Sequence, residues 1–294
     1  MNPLNLDSGS ILLPGDALRA RCEEARTQET ALPFIGVYDT FSAGVAVQYV
    51  DTLFLSGYGF AASHYGLPDQ GFIAWSDMVD YAGRVRHIAP DAHLLVDIDD
   101  GYGDRCNLIN AVRRLERIGV SAVMFEDQQR PKKCGHLPGK EVVTLEHYVE
   151  RLESLLRCRR HLFVLARTDV TSFSEGLRRV ARFAECGADA VMVEGITDLD
   201  SVKEIRRQVG SSVYIALNLI AGGKTRSLHP DDAFALGVDL LIYSTPCLFA
   251  AQDAIETALR AFVNGDAISP MENTPVSLTE NNAMLKDNQK RSES

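Results

Sequence analysis

The chain has 294 residues, 46% of them hydrophobic, enough for one large domain with a full core. Its net charge of -10 and pI of about 5.2 argue against a nucleic-acid partner, because phosphate backbones attract basic faces. No apolar run approaches the roughly 18 residues of a membrane span. The opening MNPLNLDSGSILLPGD also lacks the basic flank and long apolar stretch of a secretory signal.

The six cysteines (Cys22, Cys106, Cys134, Cys158, Cys186, Cys247) are scattered and form no CxxC pair, so neither a zinc knuckle nor a dithiol redox site is expected. Free thiols in a reducing cytoplasm are the expected state.

In chain order, strands are expected at 34–37, 52–55, 93–97, 121–125, 162–166, 189–193, 213–217 and 239–243. Each is a continuous apolar run and not an alternating one, as befits a parallel sheet covered on both faces. Amphipathic helical segments lie between most of them, for example at 105–118, 143–157 and 174–186. Eight strands alternating with helices indicate a (β/α)₈ TIM barrel spanning 1–265. The segments RIGVSAVMFE, ECGADAVMVE and ALGVDLLIYS repeat one pattern, in which Gly119, Gly187 and Gly237 each end a helix before the next strand. Two polar loops interrupt the alternation, at 127–142 and 218–230, and long loops in compact domains are commonly functional. The tail 266–294 is polar and is expected to be mobile or used in subunit contacts.

Polar residues fall where the strands end. Asp97, Asp99, Asp100, Glu126, Asp127, Arg167, Asp169, Glu194 and Asn218 all lie at or just past C-terminal strand ends, the face on which barrels build active sites. In VDIDDGYGD, Asp97 and Asp99 are expected to point the same way from an extended chain end and to suit Mg²⁺, with Glu126 acting through water. The plainer alternative is a solvated acidic turn.

In RPKKCGHLPGK, Cys134 stands among Lys132, Lys133 and His136. Nearby cations lower a thiol's pKa and make it a proton donor or acceptor near neutrality; the alternative is a basic surface loop with an incidental cysteine. Arg167 has two readings, a clamp on a substrate carboxylate or an ion pair with Glu126 or Glu194. Ser56 and Gly57 offer a hydroxyl and backbone N–H groups to an anionic oxygen. No dinucleotide fingerprint or P-loop spacing occurs, and His64 and His87 read as ordinary helix or loop residues.

KKCGH, with DxDxGYG, EDQ, ARTD and a segment like NxxxGGKTP, resembles the isocitrate lyase/phosphoenolpyruvate mutase superfamily over residues 15–265. The resemblance implies that Asp97 and Asp99 are magnesium carboxylates, with Mn²⁺ a possible substitute, and that Glu126 is an outer ligand. It implies that Ser56, Gly57, Tyr58, Asp69, Gly135 and Asn218 bind a small carboxylate substrate. Cys134, Arg167, Glu194, His136 and Lys133 become the catalytic set, with Cys134 protonating an enolate-like product.

Because KKCGH marks the lyase branch, the implied reaction is carbon–carbon cleavage of a 2-hydroxy di- or tricarboxylate of the 2-methylisocitrate or 2,3-dimethylmalate type. A phosphonopyruvate mutase or hydrolase, an oxaloacetate hydrolase, a condensing enzyme and a catalytically silent barrel are the rivals. The resemblance further implies a homotetramer that exchanges a C-terminal helix between subunits. Three positions depart from the lyase pattern: Phe54 in place of tyrosine, Tyr58 in place of a small residue, and Ala221 in place of an acid.

Overall fold

A computed structural model describes residues 12–133, 135, 139–265 and 276–293. Eight parallel strands close a barrel in sequence order. They are β1 (Leu32–Val37), β2 (Thr52–Leu55), β3 (His93–Asp97), β4 (Ala122–Glu126), β5 (Phe163–Thr168), β6 (Ala190–Val193), β7 (Tyr214–Leu219) and β8 (Leu240–Tyr243). β8 closes onto β1 with Phe34 opposite Ile242.

Helix α1 (Pro14–Thr27) precedes the barrel, with proline in its first turn. After β1 and β2 come α2 (Thr40–Ala46) and a short turn, α3 (Gly57–Phe60), continued by a π-helical turn over 61–65. The outer ring continues with α4 (Trp75–Ile88), α5 (Arg105–Arg117), α6 (Leu145–Cys158), α7 (Phe173–Cys186), α8 (Asp200–Val209), α9 (Pro230–Ala235) and α10 (Pro246–Val263). Asp104, Thr144 and Ser172 cap α5, α6 and α7 through their side-chain oxygens. Gly119, Gly187 and Gly237 have φ of 83°, 95° and 99°, the left-handed backbone expected at these helix ends.

Two apolar clusters fill the domain. The larger lies between strands and helices; the smaller occupies the barrel interior and includes Phe34, Phe54, Leu95, Met124, Leu165, Met192, Ala216 and Ile242. Leu18, Cys22 and Ala25 of α1 belong to the interior cluster and close one end of it. Phe54 is therefore a core residue of the barrel, buried and opposite Gly36 and Leu95.

Part of the polar tail is helical. Helix α11 (Leu278–Glu293) packs on α2 and α4. Asn288 is buried there against Gly44, where a Cβ would stand 2.2 Å from its amide nitrogen, and Arg291 donates to the Ile88 carbonyl at 3.3 Å. Helix α10 has no buried residue and exposes Ile255, Leu259, Phe262 and Val263. No helix among the described residues is long and apolar enough to cross a membrane. The five described cysteines are free.

Candidate active site at the barrel mouth

The site follows from the two-residue side-chain period of a strand. Interior residues Leu95, Met124, Leu165, Met192, Ala216 and Ile242 lie two positions before Asp97, Glu126, Arg167, Glu194, Asn218 and Ser244. Phe34 and Phe54 stand likewise before Gly36 and Ser56. The last inward position of every strand thus faces the C-terminal mouth, and seven of the eight, all but Gly36, are polar side chains buried to at least 93%. Ser244 was not among the sequence-predicted residues; the same period, counted from Ile242, would have found it. Its hydroxyl donates to Asn218 Oδ1, and Asn218 Nδ2 donates to Glu194 Oε2 at 3.2 Å.

Asp97 and Asp99 do converge, through a turn and not an extended chain. Asp99 has φ 49° and Tyr102 φ 64°, left-handed conformations that asparagine and aspartate tolerate better than other side chains. The Asp99 N–H donates to Asp97 Oδ1 at 3.1 Å, and the Gly57 N–H donates to Asp97 Oδ2 at 3.3 Å. A Cβ at Gly57 would lie 3.2 Å from Asp99 Oδ1 and 3.3 Å from Asp97 Oδ2, so both carboxylates face it. Ser56 caps α3 by accepting from the Gly59 N–H. Tyr58 turns toward α10, its ring edge-on to Phe249 at 6.3 Å.

The loop after β4 folds over this mouth. Its stem is held by Gln129 N–H to Glu141 O (2.8 Å) and Val143 N–H to Asp127 O (2.9 Å). The Gln128 side chain clamps the Lys133 backbone through both its amide atoms. Lys133 points back along its own loop, donating to the Gly139 carbonyl at 2.7 Å. The lysine that enters the mouth is Lys132, in place of the expected Lys133. Its ammonium is 2% exposed, hydrogen-bonded to Asp99, 3.1 Å from Asp69 Oδ1 and 3.8 Å from Glu126 Oε1. Lys140 closes the far end of the loop on Asp169 at 2.8 Å. Gly135 lies against Arg167, with room for no side chain: a Cβ would stand 2.3 Å from Arg167 Nη2 and 2.5 Å from Glu194 Cγ. Cys134 and His136 fall outside the described residues.

Arg167 is engaged by protein carboxylates. It bonds Asp169 through Nε (2.7 Å) and Nη2 (3.0 Å), and stands 3.4 Å from both Glu126 and Glu194. The ion-pair reading of Arg167 therefore holds in this structure. Burial opposes the charge on Asp169, but Arg167 and Lys140 outweigh it and lower the carboxyl to about 2. Burial pushes Asp99 up to about 7, against the pull of Lys132 and with Asp97 and Asp69 adding to the rise. Glu126 is raised well above the usual carboxylate range, chiefly by burial. Burial works against the Lys132 ammonium, yet Asp99, Glu126 and Asp69 hold it protonated.

Asp69, Asp97, Asp99, Asp100, Glu126, Asp169 and Glu194 place seven carboxylates here, and Arg130, Lys132, Lys140, Arg151 and Arg167 each stand within 4 Å of one or more of them. Asp69 Oδ1, Asp99 Oδ2 and both Glu126 oxygens are buried without a hydrogen-bond donor, although Lys132 stands 3.1 Å from Asp69 Oδ1 and 3.8 Å from Glu126 Oε1, and Arg167 3.4 Å from Glu126 Oε2. A buried carboxylate oxygen is costly unless a cation or water meets it, and hard oxygens suit a divalent cation. Among the described residues, no group of three or more acidic, histidine or cysteine side chains is arranged to hold a metal ion. Magnesium requires none, since it commonly takes one or two carboxylates and keeps waters.

Barrel and mouth together define an α/β-barrel protein with a loop-covered acidic site. The chain belongs to the family described as phosphoenolpyruvate phosphomutase, whose sequence profile matches residues 23–263, within the superfamily that also contains isocitrate lyase. It is 31% identical over 256 residues to 2,3-dimethylmalate lyase of Eubacterium barkeri, covering 85% of this chain and 88% of that one. It is 33% identical over 250 residues to 2-methylisocitrate lyase of Shewanella oneidensis, covering 83% and 85%. Among solved structures, oxaloacetate acetylhydrolase in complex with 3,3-difluorooxalacetate superposes with a TM-score of 0.87 at 26% identity, covering 95% of this chain and 96% of that one.

Proposed function

We propose that the protein is a Mg²⁺-dependent carbon–carbon lyase that cleaves a small 2-hydroxy di- or tricarboxylate, of the 2-methylisocitrate or 2,3-dimethylmalate type, to an α-oxo acid and a second carboxylate. The observation that carries this reading is the buried carboxylate cluster at the barrel mouth, covered by the basic loop that contains KKCGH. The similarity to two named lyases over more than four-fifths of the chain supports the same chemistry.

In this reading Asp97 and Asp99 hold the cation, with Glu126 outside them through water and Mn²⁺ as a substitute. The cation supplies charge neutralisation and polarises the substrate oxygens beside it. Ser56 and Gly57 border the space that receives the substrate carboxylate, with Asp69, Gly135 and Asn218 bounding the same space. In the cleavage a general base accepts the hydroxyl proton, the Cα–Cβ bond breaks, and its electron pair stays on the departing fragment as an enolate. Lys132 and Arg167 stabilise that developing charge, the role also assigned to His136, a kind of electrostatic help worth several kcal/mol in enzymes. Glu194 orients Arg167 and Asn218. The Cys134 thiol then delivers the proton to carbon, and loop closure keeps water away from the carbanion.

The exposed apolar face of α10 supports a homo-oligomer, the tetramer of the superfamily, and the unpaired cysteines support a reducing, cytoplasmic setting. Cys134→Ser tests the assignment: turnover falls by orders of magnitude while Mg²⁺ affinity stays at the wild-type value. A fully active variant rejects the role of Cys134.

A further inference from the structure

Arg130 joins three segments that the chain brings together only on folding. Its Nε donates to Asp100 Oδ1 at 2.9 Å, with Nη2 2.7 Å from the same oxygen, and its Nη1 donates to the Gly71 carbonyl at 3.2 Å. Asp100 belongs to the turn that presents Asp97 and Asp99; Gly71 lies two residues beyond Asp69; Arg130 lies two residues before Lys132.

Asp100 has a second task. Its Oδ1 accepts from the Tyr102 N–H at 3.2 Å and its Oδ2 from the Gly103 N–H at 3.1 Å. These bonds brace a turn in which Asp99, Gly101, Tyr102 and Gly103 all have positive φ. Arg151, stacked near the Phe125 ring, donates to the Asp100 carbonyl from behind. The aspartate side chain is 6% exposed and Arg130 33% exposed, so the pair sits at the rim, anchored on its acidic side.

We propose that Arg130 is a positioning residue: by fastening the start of the 127–142 loop to Asp100 and Gly71, it sets where Lys132 enters the carboxylate cluster and keeps the loop closed over the mouth. The geometry gives the reason for arginine. One planar guanidinium reaches a carboxylate and a carbonyl on two different segments at once, which a lysine ammonium at the end of a flexible stem does less well. The inference rests on the reading of this loop as the cover of the active site, but not on the identity of the substrate.

Limited trypsin digestion of the full-length protein tests it. Cleavage after Lys132, Lys133 and Lys140 reports loop opening, and neither Arg–Pro nor Lys–Pro bonds are cut readily, so changing residue 130 leaves the set of sites intact. In Arg130→Met, cleavage within 132–140 is expected to run about five- to tenfold faster than in wild type, the scale of a partly exposed charged hydrogen bond. The melting temperature stays within about 2 °C. Arg130→Lys is expected to fall between the two. Wild-type cleavage in Arg130→Met overturns the proposal, as does faster cleavage spread along the whole chain with a lowered melting temperature. Because digestion needs no turnover, failure of the lyase assignment and failure of this latch give different results.

Discussion

Replacing Gly135 by alanine separates loop closure from folding. The residue is not among the glycines with positive φ, so alanine meets no backbone objection, and the effect is steric alone. The added methyl would stand 2.3 Å from Arg167 Nη2, 2.5 Å from Glu194 Cγ and 2.8 Å from Asp169 Oδ1. Arg167 cannot easily give way, because Asp169 grips it through two nitrogens. Overpacking of this kind costs about 1–3 kcal/mol. The loop escapes that cost by staying open, so the penalty falls on closure and leaves the barrel's stability unchanged. Every 1.4 kcal/mol is tenfold, so kcat/KM for the hydroxy acid that wild type turns over is expected to fall roughly 5- to 150-fold. Calorimetry should find the melting temperature unchanged, and Mg²⁺ titration should find the same affinity. A variant with wild-type kcat/KM would refute the placement of Gly135 against Arg167 in the working enzyme.

Asp99→Asn should abolish the rise in melting temperature that Mg²⁺ gives wild type; retention of that rise would remove Asp99 from the metal site.

The pH response of the metal-free protein has a worked sign. Asp99 is raised to about 7, so its contribution is fully present below the unfolded pKa of about 3.9 and is lost as pH climbs toward 7. Asp169 runs the other way: lowered to about 2, it contributes above about 3.9 and loses that contribution as pH falls toward 2. Thermal melts should therefore decline from pH 5 to pH 7.5, and Mg²⁺ should remove the decline. Mg²⁺ binding near pH 6 should also release protons, read by calorimetry in buffers of differing ionisation enthalpy. A flat melt profile with no proton release would contradict the crowded cluster.

Much of this was legible in the sequence because a barrel writes its wall as apolar runs. All eight strands fall within two residues of their expected positions, for burial on both faces leaves little doubt about a run such as HLLVD or AVMFE. The mouth residues were legible for the same reason, since a polar residue that ends such a run must face the barrel's open end. What spacing does not carry is which side chain crosses between segments. Lys132 and Lys133 are chemically alike and adjacent, and only the Gln128 clamp turns one inward and the other along the loop. Lys140 on Asp169 and Arg130 on Asp100 pair residues about 30 positions apart in sequence. Helix α11 is polar nearly all round and docks chiefly through Asn288 and Arg291, a contact no hydrophobic pattern announces.

The most direct test of the lyase assignment is α-oxo acid release from 2-methylisocitrate, 2,3-dimethylmalate, oxaloacetate and phosphonopyruvate, each with Mg²⁺ and again with EDTA. Turnover of a 2-hydroxy acid that disappears with EDTA and returns when Mg²⁺ is restored is the expected result. Turnover of phosphonopyruvate alone, or of none of the four by folded protein that binds Mg²⁺, would contradict the assignment.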